Sequence, residues 1–150
     1  MQVKLKSSRD PGKIPSNDEI KPCKIPSNDE IKQFITQAEA IRSMITAAES
    51  FGKCIASDRE KKITTSQIRN AYGTMKKLEM LGWNKQTERE LWLLKPRLAY
   101  AAGRHGEGVK ILKEVISTAI DCVNDADSFK RFCQFFEAII AYHKAYGGKD

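Results

Sequence analysis

Long apolar runs are missing from this 150-residue sequence, and a membrane span needs roughly 18 consecutive apolar residues. The opening stretch, MQVKLKSSRDPG, has no apolar core of the kind a signal peptide carries. Membrane and secreted classes are therefore not expected, and a cytoplasmic protein is. Clustered metal ligands are missing too. Cys23, Cys54, Cys122 and Cys133 include no CxxC pair, and His105 and His143 are the only imidazoles. Tetrahedral zinc sites draw on closely spaced ligand pairs, so the pattern predicts scattered cytosolic thiols and no metal. Nor is there a Gly-rich phosphate loop, an HExxH or a nucleophile elbow. His105 sits in a Gly-flanked turn and His143 in an aromatic segment, neither with a recognisable partner. General acid–base work needs a partner in hydrogen-bond reach. No catalytic residue and no cofactor is assigned.

What the chain does have is basic charge, unevenly spread. Lysine and arginine total 26 against 19 acids, a net charge of +7. Residues 63–104 hold eight bases and three acids, whereas residues 105–150 hold six and seven. A polyanionic partner is compatible with that balance. The size suits one domain with a core of its own.

Residues 1–32 carry four of the five prolines and a tandem repeat, KIPSNDEIK at 13–21 and again at 24–32. Each copy holds a helix-start signal, Ser16 to Glu19 and Ser27 to Glu30, of the S-x-x-E capping-box form. Copy one meets Pro22 within a turn and cannot propagate. Copy two continues into apolar sequence. The organisation read from this is a proline-rich, partly disordered tail, 1–32, and a helical-bundle domain, 33–150.

From residue 33 the apolar spacing is helical throughout, which predicts an all-α bundle of about five helices. The first predicted helix places Phe34, Ala38, Ile41, Ile45 and Ala48 on one face and stops at Gly52. The second has a capping box at Thr64 and Gln67, an Ile63–Ile68 staple, a face of Ile68, Ala71, Met75 and Leu78, and a stop at Gly82. The third opens on a Thr87–Glu90 box, buries Leu91, Leu94, Leu98 and Ala101, and should kink or divide at Pro96. The run 103–106 breaks the chain. The fourth buries Val109, Leu112, Ile116, Ala119 and Val123. The fifth, about 127–146, is apolar on two faces: Phe129, Phe132, Phe136 and Ile140, then Phe135, Ile139, Tyr142 and Tyr146. Such a helix is either central or covers a partner.

The basic residues of the middle segment form stripes. Arg69 and Lys76 lie seven apart on the outer face of the second helix, with Gly73 between them and Lys77 alongside. Lys61 and Lys62 precede that helix's N-terminus, where free N–H groups attract anions. On the third helix Arg97, Tyr100 and Arg104 are spaced i, i+3, i+7. Guanidinium groups grip phosphate bidentately, and an aromatic face stacks a base. A solvated helix face accounts for the same stripes equally well.

Three pieces of sequence, TTSQIR at Thr64–Arg69, LKPRLAYAAGR at Leu94–Arg104 and YGGKD at Tyr146–Asp150, together resemble the small subunit of the type III-A CRISPR interference complex, the Csm complex. The resemblance covers about residues 33–150. It implies a non-catalytic RNA-binding subunit that stacks in several copies beside the other Csm subunits. Such a subunit touches the backbone of guide and target RNA without reading sequence, in antiviral defence. It carries Arg69, Lys95, Arg97 and Arg104 over as RNA contacts, while Lys61, Lys62, Lys76 and Lys77 rest on charge alone. The two-faced last helix would then cover the core on one side and a neighbouring subunit on the other. The rival reading is a scaffold bundle that oligomerises through that helix with no nucleic-acid role. A helix-turn-helix DNA binder is disfavoured by the long 81–86 connection.

Overall fold

Side-chain caps at Ser27, Thr64, Asn84 and Asp125 open four of the helices in the computed structural model, which describes residues 23–149. The order is α1 (Asn28–Thr36), a 3-10 turn (Ala38–Ala40), α2 (Ile41–Ser57), α3 (Thr65–Leu81), α4 (Lys85–Arg104), α5 (Glu107–Asp121) and α6 (Ala126–Ala145). The protein is an all-α bundle, and no strand occurs among the described residues.

Helix α1 starts inside the second KIPSNDEIK copy because its capping box closes. The Glu30 N–H donates to Ser27 Oγ at 3.2 Å, and the Ser27 N–H donates to Glu30 Oε1 at 2.9 Å. One turn later Ile31 is buried, along with Phe34 and Ile35. Residues 28–32, which proline content groups with the tail, are thus helical, with Ile31 packed in the core. The first copy lies outside the described residues. Cys23, between the copies, is bonded to Cys54 on α2, with a Cα–Cα distance of 5.3 Å that suits a disulfide. This corrects the reading of both as scattered thiols. A separation of 31 residues carries no spacing signal, so only the fold could reveal the pair.

The first predicted helix is divided in two, which gives six α-helices among the described residues where about five are expected. Gln37 is extended, at φ −124 and ψ 117, and this break changes the phase of α2 relative to α1. Ala38 and Ile41 of the predicted face are exposed. The buried face of α2 is instead Met44, Ala48, Phe51 and Ile55. Gly52 does not stop the helix. It lets α2 approach α6, since a Cβ there would lie 2.7 Å from Tyr142 Cβ and 2.8 Å from the Ile139 carbonyl oxygen.

Helix α6 is the bundle's central element, in contact with α1, α2, α3 and α5. All its phenylalanines and isoleucines are buried. Phe34 packs on Phe135 at 5.6 Å between ring centroids, and Tyr72 meets Phe136 edge-on at 5.7 Å. Both apolar faces pack inside the chain except for Tyr146, which is 40% exposed at the helix end, and the solvent edge is Lys130, Gln134, Glu137 and Lys144. The phenylalanines and isoleucines of both faces are thus spent on the chain's own core.

Helix α4 stays one element across Pro96 and is not divided. Its N-cap is Asn84 rather than Thr87: Asn84 Oδ1 accepts from the Thr87 N–H at 2.9 Å. Thr87 is buried and its hydroxyl donates to the Gly82 carbonyl at 2.5 Å. Gly82 ends α3 as expected, with φ +84, a conformation in which a Cβ is strained.

Candidate nucleic-acid interface

Segments far apart in sequence meet at one end of the bundle, around the start of α3. There Gln67 Oε1 accepts from the Thr64 N–H at 2.8 Å, as the predicted box requires. The Thr65 N–H, an orphan donor of the first turn, reaches the Lys149 carbonyl at 2.9 Å. His143, at the C-terminal end of α6, is wholly buried and lies 2.7 Å through Nε2 from the Ile63 carbonyl oxygen. A carbonyl can only accept, so Nε2 carries the proton. Gly148 packs flat on that imidazole, where any Cβ would collide with the ring, and Gly108 leaves room for the Lys61 carbonyl. The Gly-Gly-Lys ending is thus a structural clasp that fixes where α3 begins.

A groove of about 460 Å³ runs between α3 and α4 from this end. Ser66, Gln67, Asn70 and Thr74 line one wall, and Arg97, Tyr100, Arg104 and His105 line the other. Its floor is apolar, made by Ala71, Leu94, Leu98 and Ala101. No carboxylate lines it. Tyr100 is 70% exposed, although it sits among buried leucines in sequence. The Arg104 guanidinium carbon is 5.9 Å from the Tyr100 ring centroid, within cation–π range. Arg97 forms a long, half-exposed ion pair with Glu90 at 3.8 Å, and Glu90 lies outside the groove.

The structure sorts the predicted basic residues into groups. Arg97, Tyr100 and Arg104 share the groove. Lys61 and Lys62 lie in the segment leading to α3, at the same end of the bundle as Arg104. Arg69 and Lys77 are exposed on α3 but are not groove residues. Lys76 is held between Glu79 at 3.0 Å and Glu137 at 3.2 Å, and these hydrogen bonds raise its pKa above the usual lysine value. Lys95 is bound to Asp121 on α5 and lies over the Trp92 ring at 4.3 Å. The charge of these last two is therefore already answered by acids within the chain.

Sequence reasoning misses the opposite wall. Gln67, Asn70 and Thr74 have the same i, i+3, i+7 spacing as Arg97, Tyr100 and Arg104, and that matching stripe is the available signal. Neutral amides and hydroxyls do not register in a search for charge. His105, read as a surface turn residue, ends α4 and closes the groove.

Other chemistry is sparse. Among the described residues no group of three or more His, Cys, Asp or Glu side chains could hold a metal ion. No described helix is long and apolar enough to cross a membrane. Burial pushes the Cys133 thiol up to about 12, so it is not a thiolate nucleophile near neutrality.

The family model described as Csm2 Type III-A matches residues 37–149. The chain belongs to the Csm2 family. It is similar to the Streptococcus thermophilus protein named "CRISPR system Cms protein Csm2", with 35% identity over 97 residues, 59% of this chain and 76% of the relative. No solved structure matches the chain. This is the type III-A small-subunit family that the three sequence pieces resemble. The Csm2 match takes in both walls of the groove and the C-terminal clasp, and leaves out the duplicated segment.

Proposed function

We propose that this Csm2-family chain is a non-catalytic RNA-binding subunit of a type III-A Csm complex, acting in antiviral defence. It holds the sugar–phosphate backbone of guide or target RNA without reading sequence and packs, in several copies, among the other Csm subunits. The observation that carries this reading is the groove: two arginines and a tyrosine on one wall, neutral hydrogen-bonding side chains on the other, and no carboxylate between them. Anionic backbone is attracted there, and base pairing elsewhere carries the sequence information. Weak contacts from several copies add by avidity.

The test is binding of purified protein to two unrelated RNAs of equal length across a salt series. Near-equal affinities that fall steeply with salt are expected, with both RNAs left intact. Failure of every RNA to bind, together with absence of crosslinks to RNA in the assembled complex, overturns the reading.

A further inference from the structure

We propose that the groove between α3 and α4 takes one unpaired nucleotide, its base stacked on Tyr100 and its edge facing Asn70 and Gln67. This deepens the RNA reading above and rests on it. A site built for phosphate alone would need only the guanidinium groups. Here Arg97 and Arg104 are two helical turns apart, roughly 10 Å along the axis, with Tyr100 between them. The floor under that gap is Ala71, Leu98 and Ala101. Phosphate gains nothing from an apolar floor, whereas a base ring does.

The opposite wall supplies what a base edge needs. Gln67 is held by its Oε1 bond to the Thr64 N–H, which leaves its amide Nε2 as the donor. Asn70 is exposed on the next turn and offers both a donor and an acceptor. One base can meet donors and acceptors on that side whichever way its edge is presented, so stacking rather than sequence dominates. Tyr100 supports the same conclusion from its exposure: a residue 70% exposed, with Arg104 near its ring, contributes little to the core and leaves ring surface on which a base can stack. Bases inside a duplex have both faces covered and their pairing edges engaged. The strand in the groove must therefore be unpaired at that nucleotide.

The test uses the full chain and three labelled RNAs of equal length: an unstructured single strand, the same strand made wholly of abasic ribose–phosphate units, and a blunt duplex. Loss of one stacked base costs about 1–3 kcal/mol, so the natural single strand should bind roughly 5- to 150-fold more tightly than the abasic one. Tyr100→Ala should erase that preference and Tyr100→Trp should keep it, while both variants retain the wild-type circular dichroism. Asn70→Ala should narrow the preference without changing binding of the abasic strand. If natural and abasic strands bind alike, or if Tyr100→Ala preserves the difference, the base site is refuted and a backbone grip remains. If the duplex binds best, an unpaired nucleotide is not the ligand. If none of the three binds, the base site is refuted, and if the assembled complex also gives no crosslinks to RNA the RNA reading itself falls.

Discussion

His143 donates from Nε2 to the carbonyl oxygen of Ile63 at 2.7 Å, joining residues 80 positions apart and tying the end of α6 to the start of α3. The clasp continues through Gly148, whose N–H donates to the His143 carbonyl at 2.8 Å, and Lys149, whose carbonyl accepts from Thr65. Replacing His143 by Phe keeps an aromatic ring but leaves the Ile63 carbonyl unpaired. That should cost about 1–3 kcal/mol of unfolding free energy. Gly148→Ala should destabilise as well, because its Cβ would meet the imidazole. Hydrogen exchange at the Thr65–Gln67 amides is the local readout and should accelerate in both variants. Unchanged exchange there would mean that the C-terminal residues do not cap α3.

Two glycines make opposite predictions. Gly52 faces the Tyr142 Cβ and the Ile139 carbonyl, whereas Gly73 has open space around it on α3. Gly52→Ala forces α2 away from α6 and should destabilise by about 1–3 kcal/mol, the usual cost of overpacking. Gly73→Ala removes backbone entropy from the unfolded chain and should stabilise by about 0.5–1 kcal/mol. Chemical denaturation of the two variants beside wild type measures both. Equal effects would place Gly52 outside the helix interface.

These glycines also mark what the sequence could convey. From spacing alone Gly52 reads as a stop and Gly73 as a bulk-saving gap, and only the three-dimensional approach of α6 separates them. Local signals transfer well: the boxes at Ser27 and Thr64, the stop at Gly82 and the buried faces of α3 and α5 all stand where periodicity puts them. The break at Gln37 carries no proline or glycine to announce it, so spacing alone misplaces the phase of α2. The destination of the two-faced α6 is undetermined in the sequence for a similar reason, since amphipathicity says that a face is covered but not by what. In the groove, charge spacing reveals one wall. The ion pairs of Lys76 and Lys95 with Glu137 and Asp121 are long-range contacts and leave no trace in local spacing.

Asp125 gives a pH-dependent prediction. Hydrogen bonds to Oδ1 from the Ser128 N–H at 2.8 Å and the Ser128 hydroxyl at 2.7 Å hold its carboxyl below the ordinary aspartate range. A depressed folded-state pKa favours the native state at pH values above the unfolded value, about 3.9. The contribution is lost as pH falls through the lower folded value. Asp125→Ala should therefore be less stable than wild type near neutrality, and the gap should close on acidification below about pH 4. Thermal melts of both proteins along a pH series would show this. A gap that widened toward low pH would reverse the sign and refute the assignment.

The last prediction separates the groove from general basicity. Binding that comes from counterion release gives a slope of log affinity against log salt of about 0.7 per neutralised phosphate on a single strand. Arg97→Ala and Arg104→Ala should each flatten the slope by up to about 0.7. Arg69→Ala should do less, because Arg69 stands outside the groove. Lys95→Ala should also do less, since its ammonium is already bound to Asp121. The control must be a basic residue of the last helix, and the choice matters. Arg131 is unsuitable: its Nε donates to the Ile35 carbonyl at 2.7 Å and another guanidinium nitrogen to the Thr36 carbonyl at 3.4 Å, capping the end of α1. Its loss would disturb the fold. Lys130 is exposed on α6 and serves instead. If Lys130→Ala flattens the slope as much as Arg97→Ala, the protein binds through its overall charge and the groove is not the site. If neither changes it while RNA still binds, the grip lies elsewhere on the chain, with Lys61 and Lys62 at the neighbouring end of the bundle the next residues to replace.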